Sequence, residues 1–325
     1  MSYRSILDTI GNTPLVKLSR MSPNPSVEIF AKLEYLNPAG SIKDRIVAHI
    51  IDDAEKLGVL KPGMTIIEPT SGNTGAAVAM ISGIRGYKAI LVMPDKVSRE
   101  KQDAIRAYGA EVVITPTAVA ADSPESYGSV ADRLTREIPG AFRIRQYDNP
   151  KNVEAHYFTT GPEIWEQTKG RVNYFVAGAG TGGTVSGVGK FLKRQNPRVR
   201  VVVPDPTGSV YYEYFRTGKL PKVNGCSYLV EGIGEDELPK NMDFSVVDDI
   251  YQINDRDAFL TARRLAREEG ILAGGSSGAN VWAAMRLAET LAERAVIVTV
   301  LPDSGIKYMS KMYNDEWMKV NNLSS

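Results

Sequence analysis

The feature that most constrains this chain is a recurring unit: a short β-branched run, a turn bearing glycine, then a stretch of helical period. Met64–Glu68 passes through Pro69-Thr-Ser-Gly-Asn-Thr-Gly75 into Ala76–Ile84. Ala89–Pro94 leads to the charged stretch Ser98–Tyr108, and Glu111–Thr115 follows as a further strand. Tyr174–Ala177 runs through Gly178–Gly183 into Thr184–Arg194. Arg198–Val203, the helical Asp257–Glu269 and Ala279–Leu291, and the strand Ala295–Leu301 continue the alternation. Strands that alternate with helices imply an α/β fold of parallel sheets with helices on both faces. In such sheets ligands bind outside the carboxyl ends of the strands, where these turns lie. The 325 residues are too many for one compact core, so two α/β domains are expected. No repeat or low-complexity linker marks the boundary, and Tyr211–Asn224, rich in turn residues, reads as an irregular surface excursion.

Charge narrows the partners. Lys and Arg total 39 against 38 Asp and Glu, which leaves no electrostatic footprint for nucleic acid or an anionic membrane. No uninterrupted apolar run approaches the ~20 residues of a membrane helix, and the opening Met1–Asp8 lacks a signal-peptide core. One cysteine, Cys226, reads as a half-buried thiol and fits a reducing cytoplasm. The two histidines, His49 and His156, leave little for a zinc site; no metal is expected, and both read as structural. The expected partners are small molecules.

Four turns could carry chemistry. Gly178-Ala-Gly180-Thr-Gly182-Gly183-Thr184 joins a strand to a helix, so backbone N–H groups and the positive end of the helix dipole meet where side chains are smallest. That is an anion cradle, and phosphate is its natural occupant. The run also satisfies G-x-G-x-x-G, the dinucleotide pattern, which needs an acidic residue ~20 positions on. Asp205, 27 positions after Gly178, fits that loosely; a purely structural turn is the remaining reading. Pro38-Ala-Gly-Ser-Ile-Lys43-Asp-Arg45 precedes the helical run Ile46–Leu57. A lysine beside a helix N-terminus is biased towards the neutral amine that forms Schiff bases, although a solvated lysine in a capping turn is the ordinary case. Pro69–Gly75 gathers hydroxyl, amide and N–H donors suited to a carboxylate, and Ala273-Gly-Gly-Ser276-Ser-Gly278 is a fourth turn of the same kind.

Together these turns, with Ile10-Gly-Asn-Thr-Pro-Leu15, resemble the β-family of pyridoxal phosphate enzymes, the tryptophan synthase-like fold type II, across essentially the entire chain. Glu231-Gly-Ile-Gly234, Gln146-Tyr147, Asp122–Ser126, Leu301–Ser304, Tyr308–Lys311 and Asn314–Met318 narrow it to the cystathionine β-synthase branch of the cysteine synthase/cystathionine β-synthase family. Glu235-Asp236 departs from the Tyr-Asp pair of animal members and is closer to a bacterial type. The resemblance implies pyridoxal 5′-phosphate as cofactor, with residues 1–45 and 151–325 as the larger cofactor-binding domain and 46–150 as a smaller mobile substrate-binding domain. Animal members carry an N-terminal haem segment and many members add C-terminal nucleotide-binding modules; on this sequence neither haem nor a response to S-adenosylmethionine is expected.

Carried over by position, Lys43 holds the cofactor and serves as the Cα base. Asn73 meets the ring hydroxyl, and Gly180, Thr181, Gly182, Gly183 and Thr184 bind the phosphate. Ser276 faces the pyridine nitrogen, and Pro302 and Asp303 border the ring. Ser71, Thr74 and Gln146 bind the substrate carboxylate, with Gly72, Tyr147 and Gly232 nearby; Glu231 either orients an amino group of the second substrate or serves its loop by hydrogen bonds. A hydroxyl partner such as Ser276 leaves the ring nitrogen largely unprotonated, which favours β-elimination over transamination. The implied reaction is a β-replacement through an aminoacrylate, condensing L-serine with L-homocysteine, in a cytoplasmic homodimer. The same chemistry with O-acetylserine or O-phosphoserine and sulfide or an amine is the rival reading. A non-catalytic binding protein that kept the fold is the third, and the intact Lys43 and glycine loop argue against it.

Overall fold

The computed structural model describes residues 2–120, 122–222 and 228–324, so Cys226 lies outside the described residues. The chain divides into two compact units, Met1–Ile10 with Asn37–Lys151, and Gly11–Leu36 with Asn152–Ser325. The sequence places the first boundary after residue 45; the structure places it after Leu36. Local bonding accounts for the difference: Gly40 N donates to the Asn37 carbonyl and Ala39 N to the Asp44 carboxylate, tying this turn to the helix that follows it.

The smaller unit is built on a four-stranded parallel sheet in the order β5-β4-β3-β6, with β3 at Thr65–Pro69, β4 at Lys88–Pro94, β5 at Glu111–Thr115 and β6 at Ala141–Arg143. Its helices are α1 (Lys43–Lys56), α2 (Asn73–Arg85), α3 (Arg99–Ala107) and α4 (Tyr127–Glu137). Val130 and Ala131 of α4 pack on Ile67 and Val92 of the sheet.

The larger unit carries a six-stranded sheet in the order β1-β2-β10-β7-β8-β9. Its strands are β1 (Leu15–Lys17), β2 (Val27–Leu33), β7 (Tyr174–Val176), β8 (Arg200–Pro206), β9 (Asp249–Ile253) and β10 (Ala295–Leu301). All pairs are parallel except the edge pair β1–β2, where the chain reverses within a few residues and no crossover helix is present. The sheets are otherwise parallel, as the alternation of strands and helices implies. β8 and β10 are buried over six consecutive residues each, as strands covered on both faces must be. Helices α5 (Lys151–Ala155), α6 (Gly161–Gln167), α7 (Gly183–Gln195), α8 (Tyr211–Thr217), α9 (Asp255–Glu269), α10 (Gly275–Thr290) and α11 (Asp315–Val320) complete the order. Val281, Ala284, Leu287 and Ala288 of α10 form one core with Ile29, Val202, Ile297 and Leu301.

Two charged residues inside this unit show how polar burial is tolerated. Lys32 on β2 is fully buried, and its ammonium donates to the Thr13 carbonyl at 2.6 Å, Glu163 at 2.6 Å and Gln167 at 2.9 Å. Asp205, near the end of β8, is also fully buried. One of its oxygens accepts from Tyr212 N at 2.9 Å and the other has no hydrogen-bond partner. The stretch expected to be an irregular excursion is therefore a helix at Tyr211–Thr217, held at its first turn by Asp205 and closed by Gly218 in the left-handed region. The anchor comes from the preceding strand, seven positions upstream of Tyr212.

Burial pushes the Asp205 carboxyl from its ordinary 3.8 to about 6, with the Ser209 hydroxyl and Tyr212 N–H opposing the shift. The proton is thus held more tightly in the folded state. This contribution to stability is complete below pH 3.8, is lost as pH rises through 6, and amounts to about 3 kcal/mol. Urea unfolding across that range should show Asp205→Asn gaining roughly that amount on the wild type as pH rises. Parallel stability curves for the two proteins would contradict it.

Candidate functional site

Two kinds of helix start bear on the site. α4, α9 and α11 are capped by the side chains of Ser126, Asn254 and Asn314, each accepting a first-turn N–H. α2, α7 and α10 begin instead at Gly72, Gly182 and Gly274, which offer no side-chain acceptor. These three starts are the glycine turns singled out in the sequence, and each follows or adjoins the carboxyl end of a strand. A helix start without its own cap leaves N–H donors and the positive dipole end for an external anion, although at α2 the Thr70 hydroxyl takes one first-turn donor, Gly75 N.

The turn before α7 is held by side chains from distant parts of the larger unit. Asn280 accepts from Gly178 N at 2.7 Å and donates to the Val300 carbonyl at 2.7 Å. Tyr211 donates its hydroxyl to the Gly180 carbonyl at 2.5 Å. Asn152, 1% exposed, donates to the Thr181 hydroxyl at 2.9 Å. Thr184 and His156 lie 3.2 Å apart through Oγ1 and Nε2, and the other ring nitrogen of His156 is 2.9 Å from Thr160. His156 is therefore a support of the loop, not merely a core residue. Gly182 sits at φ +81°, where an added Cβ would stand 2.5 Å from Met242 Cα, and a Cβ at Gly183 would collide with the Asn152 amide. Backbone fills this turn and side chains buttress it from behind.

The donor set is that of a phosphate monoester site: first-turn N–H groups of α7 and the hydroxyls of Thr181 and Thr184, with no carboxylate between Gly178 and Thr184. Asp205, the residue a dinucleotide would need for its ribose, is turned into the protein and engaged by α8. The cradle thus fits one phosphate and not a ribose-bearing dinucleotide.

In the same unit α10 starts with Gly275 and the buried Ser276, and Gly274 N donates to the Asp303 carbonyl at 3.0 Å. Asp303 is 1% exposed and accepts from the Tyr308 hydroxyl at 2.7 Å; Pro302 beside it is half-buried. Burial raises the Tyr308 phenol well above its ordinary range, reinforced by the neighbouring Asp303 and Glu231 carboxylates. Tyr308 is thus a hydrogen-bond donor at all ordinary pH. Gly234 N donates to the Ala179 carbonyl at 2.7 Å, so the segment from Glu231 through the exposed Gly232 lies directly on the phosphate turn.

The smaller unit contains Lys43, Ser71, Gly72, Asn73, Thr74, Gln146 and Tyr147. Lys43 is the half-buried first residue of α1, and its N–H donates to the Ser41 hydroxyl at 3.2 Å. Ser71 is exposed at the turn, and Asn73 opens α2. Thr70 ties the turn by accepting from Gly72 N and Gly75 N, each at 3.2 Å. Thr74 donates to Gln146 Oε1 at 2.7 Å, and both are buried, while Tyr147 is 42% exposed. Glu68, 1% exposed at the end of β3, accepts from Arg145 N at 3.2 Å and Gln146 N at 3.4 Å, and pairs with Arg143. Burial raises its carboxyl despite those donors. Sequence reasoning passed over Glu68, as it did Asn152 and Asn280; a lone acid at the end of a strand carries no motif. Among the described residues no group of His, Cys, Asp and Glu is arranged to hold a metal ion. No helix among them is long and apolar enough to cross a membrane.

Comparison with known proteins agrees with the phosphate cradle. Cystathionine β-synthase of Apis mellifera is 46% identical over 97% of this chain, that of Rattus norvegicus 47% over 96%, and that of Saccharomyces cerevisiae 45% over 99%. The alignments take in 62%, 56% and 65% of those relatives, so the chain spans under two thirds of their length. Among solved structures, O-ureido-L-serine synthase superposes with a TM-score of 0.89 at 39% identity, covering 98% of this chain and 100% of that one. Its O-ureido-L-serine-bound lysine-to-alanine variant gives 0.87 at 39% identity, with both chains fully covered. The fold is that of the type II pyridoxal phosphate enzymes, and pyridoxal 5′-phosphate is the cofactor. The family profile described as pyridoxal-phosphate dependent enzyme runs from residue 6 to residue 303, through every turn described above, and the chain belongs to that family.

Proposed function

We propose that this chain is the catalytic core of a β-replacement enzyme that condenses L-serine with L-homocysteine to cystathionine. The observation that carries this reading is the meeting of two motifs of the serine-using branch: Lys311 of the C-terminal run and Glu231 of the Gly-rich loop are 2.7 Å apart. The 43–47% identity to relatives named cystathionine β-synthase supports it. The likeness to O-ureido-L-serine synthase favours the rival, in which an activated serine meets a different nucleophile.

Pyridoxal phosphate, when bound, supplies the electron-withdrawing system that acidifies the substrate Cα–H. In this reading Lys43 would hold the cofactor covalently until the amino group of the incoming amino acid displaces it, and the Lys43 amine so freed would take the proton from Cα. Serine's hydroxyl departs only with a proton, and Lys43, having just gained one, supplies it to that oxygen. Asn73 binds the ring hydroxyl and the amides of Gly180–Thr184 hold the phosphate at the start of α7. Ser276 meets the pyridine nitrogen, with Pro302 and Asp303 bordering the ring. Ser71, Gly72, Thr74, Gln146 and Tyr147 take the carboxylate of the first amino acid. Thr74 occupies Gln146 Oε1, which fixes the orientation of that amide, and Glu68 holds the Gln146 backbone. A cytoplasmic homodimer is part of the reading, supported by the single cysteine and the family resemblance.

Borohydride treatment of the holoenzyme should fix the cofactor to the peptide containing Lys43, and Lys43→Ala should lose turnover by at least about 10³-fold. An adduct mapped to another lysine would sink the assignment. For the donor, serine mixed with the holoenzyme should give a new long-wavelength absorbance that homocysteine discharges, with cystathionine identified by mass. No cystathionine from serine, alongside ready turnover of O-acetylserine with sulfide, would replace this reading by its rival.

A further inference from the structure

We propose that Glu231 and Lys311 read the zwitterion of an amino-acid thiol as second substrate, Lys311 taking its carboxylate and Glu231 its ammonium. The proposal rests on the β-replacement reading and adds Lys311 to it as a specificity-determining residue.

Placement is the first argument. Glu231 precedes Gly232, whose carbonyl oxygen lies 2.7 Å from where a Cβ on Gly180 would stand. Lys311 comes from the segment that leaves the end of β10 through Asp303 and Tyr308. The pair therefore spans the two loops that flank the start of α7 and the start of α10, at the carboxyl end of the sheet.

Energetics are the second. Both side chains are partly exposed, 43% for Lys311 and 33% for Glu231, and an ion pair so wet contributes only about 0.2–1 kcal/mol. Each loop carries a further bond of its own. The Tyr308–Asp303 bond already fixes one and the Gly234–Ala179 bond the other. The pair is thus cheap to open, yet holds two opposite charges side by side when no ligand is present.

Ligand chemistry is the third. A zwitterion replaces one exposed pair with two charge-assisted contacts, so opening the pair leaves no charge unmatched. A thiol with one charge satisfies one partner and strands the other, and an uncharged nucleophile gains nothing from opening it. Discrimination comes from the unmatched partner as much as from the matched one.

The test uses holoenzyme with saturating O-acetylserine, a donor that leaves without a proton, so that it does not depend on serine being accepted. Four thiols of matched length report the charges: homocysteine, 4-mercaptobutanoate, 3-aminopropanethiol and 1-propanethiol. Lys311→Met should raise KM for homocysteine and 4-mercaptobutanoate by at least about ten-fold more than for propanethiol, and Glu231→Gln should do so for homocysteine and 3-aminopropanethiol. The double exchange Glu231→Lys with Lys311→Glu rebuilds the ion pair with reversed polarity. It should return the thermal midpoint to that of the wild type while KM for homocysteine stays raised. Recovery of both together, or an equal rise in KM for all four thiols, would show the pair to be structural and overturn the proposal. The expected pattern in an enzyme that makes nothing from serine would sink the donor reading above and leave this one standing.

Discussion

The constraint on which the larger unit depends is the bare glycine backbone at the start of α7, shaped for the close approach of an anion. N–H groups can converge on one phosphate only where side chains do not intervene, which requires glycines at Gly182 and Gly183. The bare turn that results cannot hold its own shape. Asn152, His156, Tyr211 and Asn280 do so from three separate stretches of chain, through bonds of 2.5–3.2 Å. Much of the unit's architecture serves this scaffolding. Tyr211 is in place because Asp205 anchors α8, and Asn280 because α10 packs on the sheet.

The regular alternation was legible because parallel strands buried on both faces must be apolar runs, and the helices between them must be amphipathic. Glu111–Thr115 and Ala295–Leu301 have the limits read from sequence, and the helix read as Asp257–Glu269 ends at Glu269 but starts two residues earlier, at Asp255. The edge strand β1 was not legible. Three residues carry no period, and only pairing with β2 makes them a strand. Nor was α8, whose Tyr-rich sequence is aromatic all round and whose start is fixed by Asp205, in a different element. The same holds at the site. The glycine turns and Lys43 announce themselves by local pattern, but Asn152, His156 and Glu68 acquire their roles from contacts 28 to 78 positions away.

Buried charge recurs as a positioning device. Glu68, Lys32 and Asp205 are each close to fully buried, and each gathers backbone groups that have no partner in sheet or helix. Such groups add little net stability, because desolvation offsets most of what the bonds return. Their effect is geometric. Glu68 sets the register of Gln146 against Thr74 in the smaller unit, and Asp205 sets α8 and through it the Gly180 carbonyl in the larger. By contrast the Glu231–Lys311 pair is partly exposed, which suits a pair that must exchange partners.

The central claim is that the uncapped start of α7 holds a single phosphate monoester as its dianion. Phosphorus-31 NMR of the holoenzyme tests this directly. A free monoester titrates near pH 6, whereas N–H donors and the helix dipole favour the dianion. The account predicts one resonance whose position does not change from about pH 5.5 to 8. A resonance that titrates as the free cofactor does, or a pair of coupled resonances from a pyrophosphate, would contradict it.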